Sequence, residues 1–203
     1  MFAVIWEIYY KRSYEMMRSF RRPGGIVIDC GAHIGLYSLK IAKFSQKVIS
    51  IEPERRNFHY LILNIRLNKL VERILPLKFA ISDKKGFALL FKTKYSGIHS
   101  IIHVDNYIET EEIKTISLDI LIRKLKLDNV EILKLDVEGA ELLALRGLKN
   151  EAVKVKNIVL EVHTKIVKIN DIIRELNSMN FAIIKIYKIP GIRDSVIVYA
   201  THL

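Results

Sequence analysis

Short β-branched runs alternate with apolar stripes at helical spacing along most of this chain, and that alternation admits few folds. Ile26–Cys30 reads as a buried strand, after which Ile34, Tyr37, Ser38 and Ile41 recur at helical intervals through about residue 44. Lys47–Ile51 reads as a second strand, followed by the stripe Phe58, Leu61, Ile62 and Ile65. A third strand is expected near Ile74–Ile81, a helix over Asp119–Lys126 and a fourth core strand over Val130–Asp136. Glu138–Leu148 reads as a helix that Gly147 stops, and Asn157–Val162 as a fifth strand. The next helix carries Ile169, Ile172, Ile173 and Leu176. Phe181–Tyr187 and Ser195–Thr201 close the chain as two strands joined around Pro190-Gly191. Strands alternating with helices through right-handed crossovers give an α/β fold: a doubly wound, mostly parallel sheet covered on both faces, with an antiparallel C-terminal strand.

The 203 residues suit a single such domain. The break at Arg22-Pro23-Gly24-Gly25 sets off residues 1–22, which read as a helical cap or arm on a domain spanning 23–203. Peripheral membrane contact is the alternative use of the mixed apolar and basic pattern in residues 1–20. Between about 84 and 118 the pattern loosens: Phe87–Lys92 and Thr115–Leu118 alternate on either side of the polar stretch Tyr95–Glu112, which predicts a hairpin-like insertion with a loop. No stretch approaches the ~20 apolar residues of a membrane span. The first apolar residues precede the basic ones, the wrong order for a signal peptide. Cys30 is the single cysteine, which leaves no internal disulfide or paired-cysteine metal site and makes a reducing, cytoplasmic setting the expectation. Thirty-three Lys and Arg against 22 Asp and Glu give +11, a charge that attracts phosphate, nucleic acid or anionic surfaces without choosing among them.

The sharpest local signal is Asp29-Cys30-Gly31-Ala32-His33-Ile34-Gly35, where the first strand hands over to its helix. In open α/β sheets ligands sit at the carboxyl ends of the strands, near the switch in strand order. Gly31 permits a tight turn there, and Gly35 permits close approach of helix, strand and ligand, because neither presents a Cβ. The spacing departs from the GxGxxG that admits a dinucleotide pyrophosphate, and an aspartate at the strand end repels phosphate. Both points count against a nicotinamide oxidoreductase. A ligand with ammonium and sulfonium charges, such as S-adenosylmethionine, suits the acidic strand end better. Glu52-Pro53 ends the second strand with a carboxylate that can accept from both ribose hydroxyls, and the proline fixes the turn. Asp29 and Glu52 are expected to hold opposite ends of one ligand.

Six segments, Val27–Ser38, Ser50–Pro53, Ala80–Asp83, Ser117–Asp119, Leu133–Glu141 (Leu-Lys-Leu-Asp-Val-Glu-Gly-Ala-Glu) and Leu160–His163, together resemble the FkbM-type family of S-adenosylmethionine-dependent methyltransferases. The resemblance implies a Rossmann-like class I methyltransferase fold and S-adenosyl-L-methionine as cofactor. It places Asp29, Gly31, Ala32, His33, Gly35, Glu52 and Pro53 around that cofactor, with Ala80 and Ile81 near the adenine. His33 is a departure, since the family commonly has asparagine there. Residues 1–22, the 95–112 loop and the tail after Lys165 lie outside the distinctive segments, and substrate choice is expected to reside in them.

Methyl transfer is a direct displacement that needs alignment of nucleophile and methyl, and a hydroxyl acceptor gains from a base. Asp136 and Glu138 leave the fourth strand two residues apart, and Glu161 and His163 stand likewise at the end of the fifth, so each pair points to one side. If these strands are neighbours, all four groups converge. His163 or Asp136 is then the expected general base and Glu138 the orienting group, with Asp136 also counted among the cofactor contacts. Such ligands suit several divalent metals, but their spacing is no recognised metal signature and none is assigned. Asn-Pro-Pro-Tyr-type segments of many N-methyltransferases are absent. The expected reaction is therefore O-methylation of a hydroxyl on a small molecule, sugar or glycan. Two alternatives stay open: an RNA methyltransferase drawing on the basic surface, and a non-catalytic S-adenosylmethionine-binding module.

Overall fold

The computed structural model describes residues 13–188 and 194–203. The expectations for residues 1–12 and for the turn at Pro190-Gly191 lie outside the described residues. What is described of the N-terminal arm is a loop with one helical turn, α1 (Arg18–Arg21). Its Phe20 stacks edge-on against Tyr199, and the Tyr199 hydroxyl donates to the Ser13 carbonyl.

β1 (Ile26–Cys30), β2 (Lys47–Ile51) and β3 (Ile74–Leu77) pair in parallel on one side, and β1 pairs in parallel with β7 (Val130–Leu135) on the other. β7 in turn pairs with β8 (Val155–His163), again in parallel. β10 (Ser195–His202) runs antiparallel between β8 and β9 (Phe181–Lys188). The seven-stranded order is therefore β3-β2-β1-β7-β8-β10-β9. Strand order reverses between β1 and β7, which locates the ligand crevice at their carboxyl ends.

Alternation along each strand supplies two cores. Ile28, Leu133, Leu135 and Leu160 face one side, under α4 (Leu118–Lys124), α5 (Glu141–Arg146) and α6 (Ile169–Ser178). Val27, Ile132, Val159 and Tyr199 face the other, with Tyr37 of α2 (Leu36–Ile41) and Leu61 and Ile65 of α3 (Arg55–Leu67). Each fully buried aliphatic side chain contributes about 1.5–3 kcal/mol, so a two-sided sheet accumulates its stability along every strand.

Three expectations change in detail. The third strand divides: β3 forms the edge of the main sheet, where Pro76 is tolerated, while β4 (Ala80–Ile81) turns away to pair with the insertion. The insertion is a hairpin of β5 (Gly86–Lys92) and β6 (Glu109–Ile116), forming a three-stranded sheet β4-β6-β5. β6 thus begins inside the stretch expected to be loop. The helix expected from Glu138 starts only at Glu141, because Glu138 and Gly139 both adopt left-handed backbone, at φ 50° and 96°. Among the described residues no helix is long and apolar enough to cross a membrane.

Candidate active site

A cleft lies at the carboxyl ends of β1, β2, β7 and β8, where open α/β sheets place their ligands. Gly31 and His33 from the β1 turn, Glu52 and Pro53 from the β2 end, and Ala80 and Ile81 from β4 line it, as do Asp136 and Glu138 beyond β7. The parallel ladder makes this possible, since Cys30 sits opposite both Ile51 and Leu135 and the three strand ends arrive level.

At one end stands Glu52, 5% exposed. Its Oε2 accepts from the His33 backbone N–H at 2.8 Å and its Oε1 from the Glu54 N–H at 3.0 Å. The Asn57 side chain hydrogen-bonds the same carboxylate. Burial pushes the Glu52 carboxyl up to about 7, against the hydrogen bonds that favour its ionised form. The His33 ring reaches the hairpin loop, where its Nε2 lies 3.1 Å from Ser96 Oγ, and burial lowers its pKa. Asn57 of α3 donates to the Ser96 carbonyl at 2.9 Å.

Three residues expected around the ligand are not among those lining the cleft. Asp29 is fully buried and does not line the cleft; it accepts from Ser38 Oγ at 2.5 Å and pairs with Lys134 Nζ at 3.1 Å. The strand that carries it turns its side chain toward the α2 face of the sheet, under the turn rather than over it. Gly35 caps α2 at φ 93°, and a Cβ there would meet Leu61 Cδ1 at 2.6 Å, so its bareness serves packing of α3 and not ligand approach. Ala32 is buried, and its N–H donates to the Ile51 carbonyl.

At the other end β7 and β8 are neighbours, and Asp136, Glu138 and Glu161 line the cleft together. The Tyr14 hydroxyl, from the arm, lies 3.0 Å from Asp136 Oδ2 and 2.5 Å from Glu161 Oε2, with one proton between the two carboxylates. Ser195 Oγ donates to Glu161 Oε1 at 2.7 Å. Lys134 lies beneath, 3.5 Å from Asp136 Oδ2 and 4.9 Å from the Tyr14 ring centre. Burial alone would push the Lys134 ammonium down, but Asp29 and then Asp136 override that and hold its pKa above the ordinary lysine value.

His163 takes a different place from the one expected. It stands behind Glu138 and not on the cleft wall, with Nε2 3.1 Å from Glu138 Oε2 and Nδ1 2.8 Å from Glu141 Oε1. Burial opposes its charge, yet the hydrogen bonds to the two carboxylates push it up to about 12. With both nitrogens engaged as donors, it has no lone pair for an acceptor proton. Burial raises Glu138 to about 7, opposed by His163 and assisted by Asp136 and Glu161. Ligand atoms of Asp136, Glu138 and His163 lie within 4.8 Å of one another, a spacing a divalent cation could bridge once His163 gave up its proton.

Tyr14, Asn57, Ser96, His99 and Ile101 line the cleft without having been singled out from the sequence. They come from the arm, from α3 and from the hairpin loop, whose approach depends on tertiary pairing. Glu141 carried a signal that was readable, since it ends the Asp-Val-Glu-Gly-Ala-Glu segment, but its helical position masked a buried role.

A family model described as the Methyltransferase FkbM domain matches residues 29–183. The hexuronic acid methyltransferase AglP of Haloferax volcanii is 26% identical over 140 residues, covering 68% of this chain and 56% of AglP. The crystal structure of Methyltransferase FkbM from Methylobacillus flagellatus aligns with a TM-score of 0.67 at 20% identity, over 96% of this chain and 47% of that one. M. capricolum TrmK in complex with S-adenosyl-homocysteine aligns with a TM-score of 0.58 at 10% identity, over 95% of this chain and 66% of TrmK. The chain spans about half the length of the first two proteins. The likeness to the two structures is one of fold.

Proposed function

This chain belongs to the FkbM methyltransferase family, and on that premise we propose that it moves the methyl group of S-adenosylmethionine to a hydroxyl of a sugar, glycan or other small polar molecule. The observation that carries the reading is one cleft with a ribose-type carboxylate, Glu52, at one end and the carboxylates Asp136, Glu138 and Glu161 at the other. Gly31, Glu52, Pro53, Ala80 and Ile81 would hold the cofactor. Gly31 brings backbone to the cleft wall, Glu52 offers its carboxylate to the ribose hydroxyls, and Ile51, Phe79 and Ile81 offer an apolar wall for a purine. When bound, the cofactor supplies a methyl on a positively charged sulfur. The chain's own part is to align the acceptor oxygen with that methyl, to surround the positive charge with carboxylates, and to take the acceptor's proton.

AglP's printed substrate, a hexuronic acid, supports a sugar-type acceptor. Among the described residues no Lys or Arg lines the cleft, which counts against an RNA strand threading to the methyl despite the +11 overall charge. The retained carboxylate cluster counts against a module that merely binds the cofactor, and the one cysteine, buried, accords with a reducing cytoplasmic setting.

Incubating the protein with methyl-labelled S-adenosylmethionine and fractionated host extract is expected to put label into a glycan or small-metabolite fraction. Label confined to RNA would overturn the acceptor class, and no label in any fraction would overturn catalysis. Separately, Glu52→Ala is expected to weaken S-adenosylhomocysteine binding about 10- to 100-fold in calorimetry, the worth of charge-assisted hydrogen bonds. Because Glu52 must be ionised to accept from both hydroxyls and its carboxyl is raised to about 7, wild-type affinity is expected to fall as pH drops below neutral. Binding that stays flat from pH 8 to pH 5.5 would remove Glu52 from that role.

A further inference from the structure

The carboxylates that line the acceptor end differ in what holds them. Asp136 has Oδ2 beside the Lys134 ammonium and the Tyr14 hydroxyl, and Glu161 has both oxygens engaged, Oε2 with the Tyr14 hydroxyl and Oε1 with Ser195. Glu138 gives Oε2 to His163, while its Oε1 has no partner among the described residues. Yet Glu138 holds an improbable backbone: φ 50° in a residue with a Cβ costs about 1–2 kcal/mol and persists only where surroundings impose it.

The imposing contact comes from the insertion. Ser100, 2% exposed, donates its hydroxyl to the Glu138 carbonyl at 2.5 Å. A carbonyl oxygen can only accept, so the hydroxyl spends its one proton there, while the same Oγ accepts from the Ile102 N–H at 3.0 Å. Ser100 is itself anchored, its N–H and carbonyl both paired with Phe91 of β5. From behind, Glu141 Oε1 accepts from the Gly139 N–H at 2.8 Å as well as from His163, so the next peptide is tied to the group that orients the Glu138 side chain.

We propose that Glu138 accepts the acceptor's proton and that Ser100 is its positioning residue, holding the Glu138 backbone in the conformation that presents the free carboxylate oxygen to the cleft, with His163 and Glu141 fixing the side chain from the rear. The proposal rests on the methyl-transfer reading above. The acceptor oxygen bonds to the methyl carbon as the carbon–sulfur bond breaks, the bonding pair stays on sulfur to leave a neutral thioether, and the hydroxyl proton passes to Glu138 Oε1. Every atom and charge is accounted for by acceptor, cofactor and carboxylate. The same loop reaches the cofactor wall through Ser96, which meets His33 and Asn57, so one hairpin sets both walls of the cleft.

The groups that face Glu138 are Asp136 beyond β7, Glu161 and His163 of β8, Glu141 of α5 and, across the cleft, Tyr14 of the arm and His99 of the hairpin loop. Carbon-13 NMR of glutamate-labelled full chain with S-adenosylhomocysteine bound reads the Glu138 carboxyl directly, its signal identified by loss in Glu138→Gln. It is expected to titrate within about a unit of neutrality in the wild type, to move about a unit toward the ordinary glutamate value in Ser100→Ala, and to return in Ser100→Thr, which restores the hydroxyl. In the extract fraction that takes up label with wild-type protein, Glu138→Gln is expected to slow transfer about 10²- to 10⁴-fold. Ser100→Ala should slow it about 10- to 100-fold in kcat, with S-adenosylhomocysteine affinity within about twofold. Glu138→Asp, which leaves the hairpin untouched and retracts the carboxylate, covers the case of a Ser100→Ala protein that does not fold. A Glu138 titration unmoved by Ser100→Ala overturns the positioning role, and full transfer by Glu138→Gln overturns the base. If no fraction takes label even with wild-type protein, the methyl-transfer reading fails while the NMR arm still decides the Ser100 contact.

Discussion

Gly31→Ala is expected to destabilise the fold by about 2–5 kcal/mol, a large part of the 5–15 kcal/mol that holds a typical domain together. A Cβ at position 31 would lie 1.7 Å from the Asp136 carbonyl oxygen, and the backbone there sits at φ 75°. Neither strand can step aside. The Gly31 N–H is bonded to the Ile51 carbonyl at 2.9 Å, and the Asp136 N–H to the Cys30 carbonyl at 3.1 Å, so β1 is pinned on both flanks where the methyl would intrude. The displaced group would be Asp136 itself, and the surviving folded protein is expected to bind S-adenosylhomocysteine poorly. Urea unfolding gives the first quantity and calorimetry the second. An unchanged midpoint would show that the crossing has slack the distances deny.

The second large effect is expected from Lys134→Met, at about 3–5 kcal/mol. Lys134 is almost wholly buried, with its ammonium between Asp29 at 3.1 Å and Asp136 at 3.5 Å and under the rings of Tyr14 and Tyr37. Removing it strands the Asp29 carboxylate in the interior with a Ser38 hydroxyl as its remaining support. The double variant Asp29→Asn with Lys134→Met is expected to recover much of the loss, because a neutral amide can be buried at far lower cost than an unpaired charge. A single variant as stable as wild type, or a double variant no better than the single, would show that the pair is not coupled.

Which parts of this architecture were readable in the chain follows from what each residue answers to. β1, β2 and β8 appear as continuous β-branched runs because strands buried on both faces need apolar side chains on both, and nothing outside the run alters that requirement. β6 escaped because its residues are Glu-Thr-Glu-Glu-Ile-Lys-Thr-Ile, with charge in place of clean alternation. Those charges have partners only once the hairpin has paired: Lys92 of β5 meets Glu109 and Glu111 of β6, and Glu54 at the start of α3. The division of β3 from β4 was likewise hidden, since one apolar stretch serves two sheets and the choice is made by neighbours distant in sequence.

The site divides the same way. The place of Glu52 on the cleft wall was legible because it depends on being the carboxylate at the end of the second strand, a local fact. The surroundings of Asp29 were not legible, because the position of an aspartate in a turn motif does not say on which side of the sheet it emerges. Here that side holds Ser38 and Lys134, and the carboxylate became a structural ion pair beneath the turn.

Local order in the chain, its periodicity and its turn residues, determined by itself that a mostly parallel sheet would form with a glycine turn at the end of its first strand, and its motifs marked the family of methyl-transferring domains to which it belongs. Tertiary structure alone decided how each acidic group of the cleft is held. Ionisation and hydrogen bonding are set by whatever lies within a few ångströms, and for Glu138 those neighbours arrive from β8, from α5 and from a hairpin loop some forty residues away in the chain.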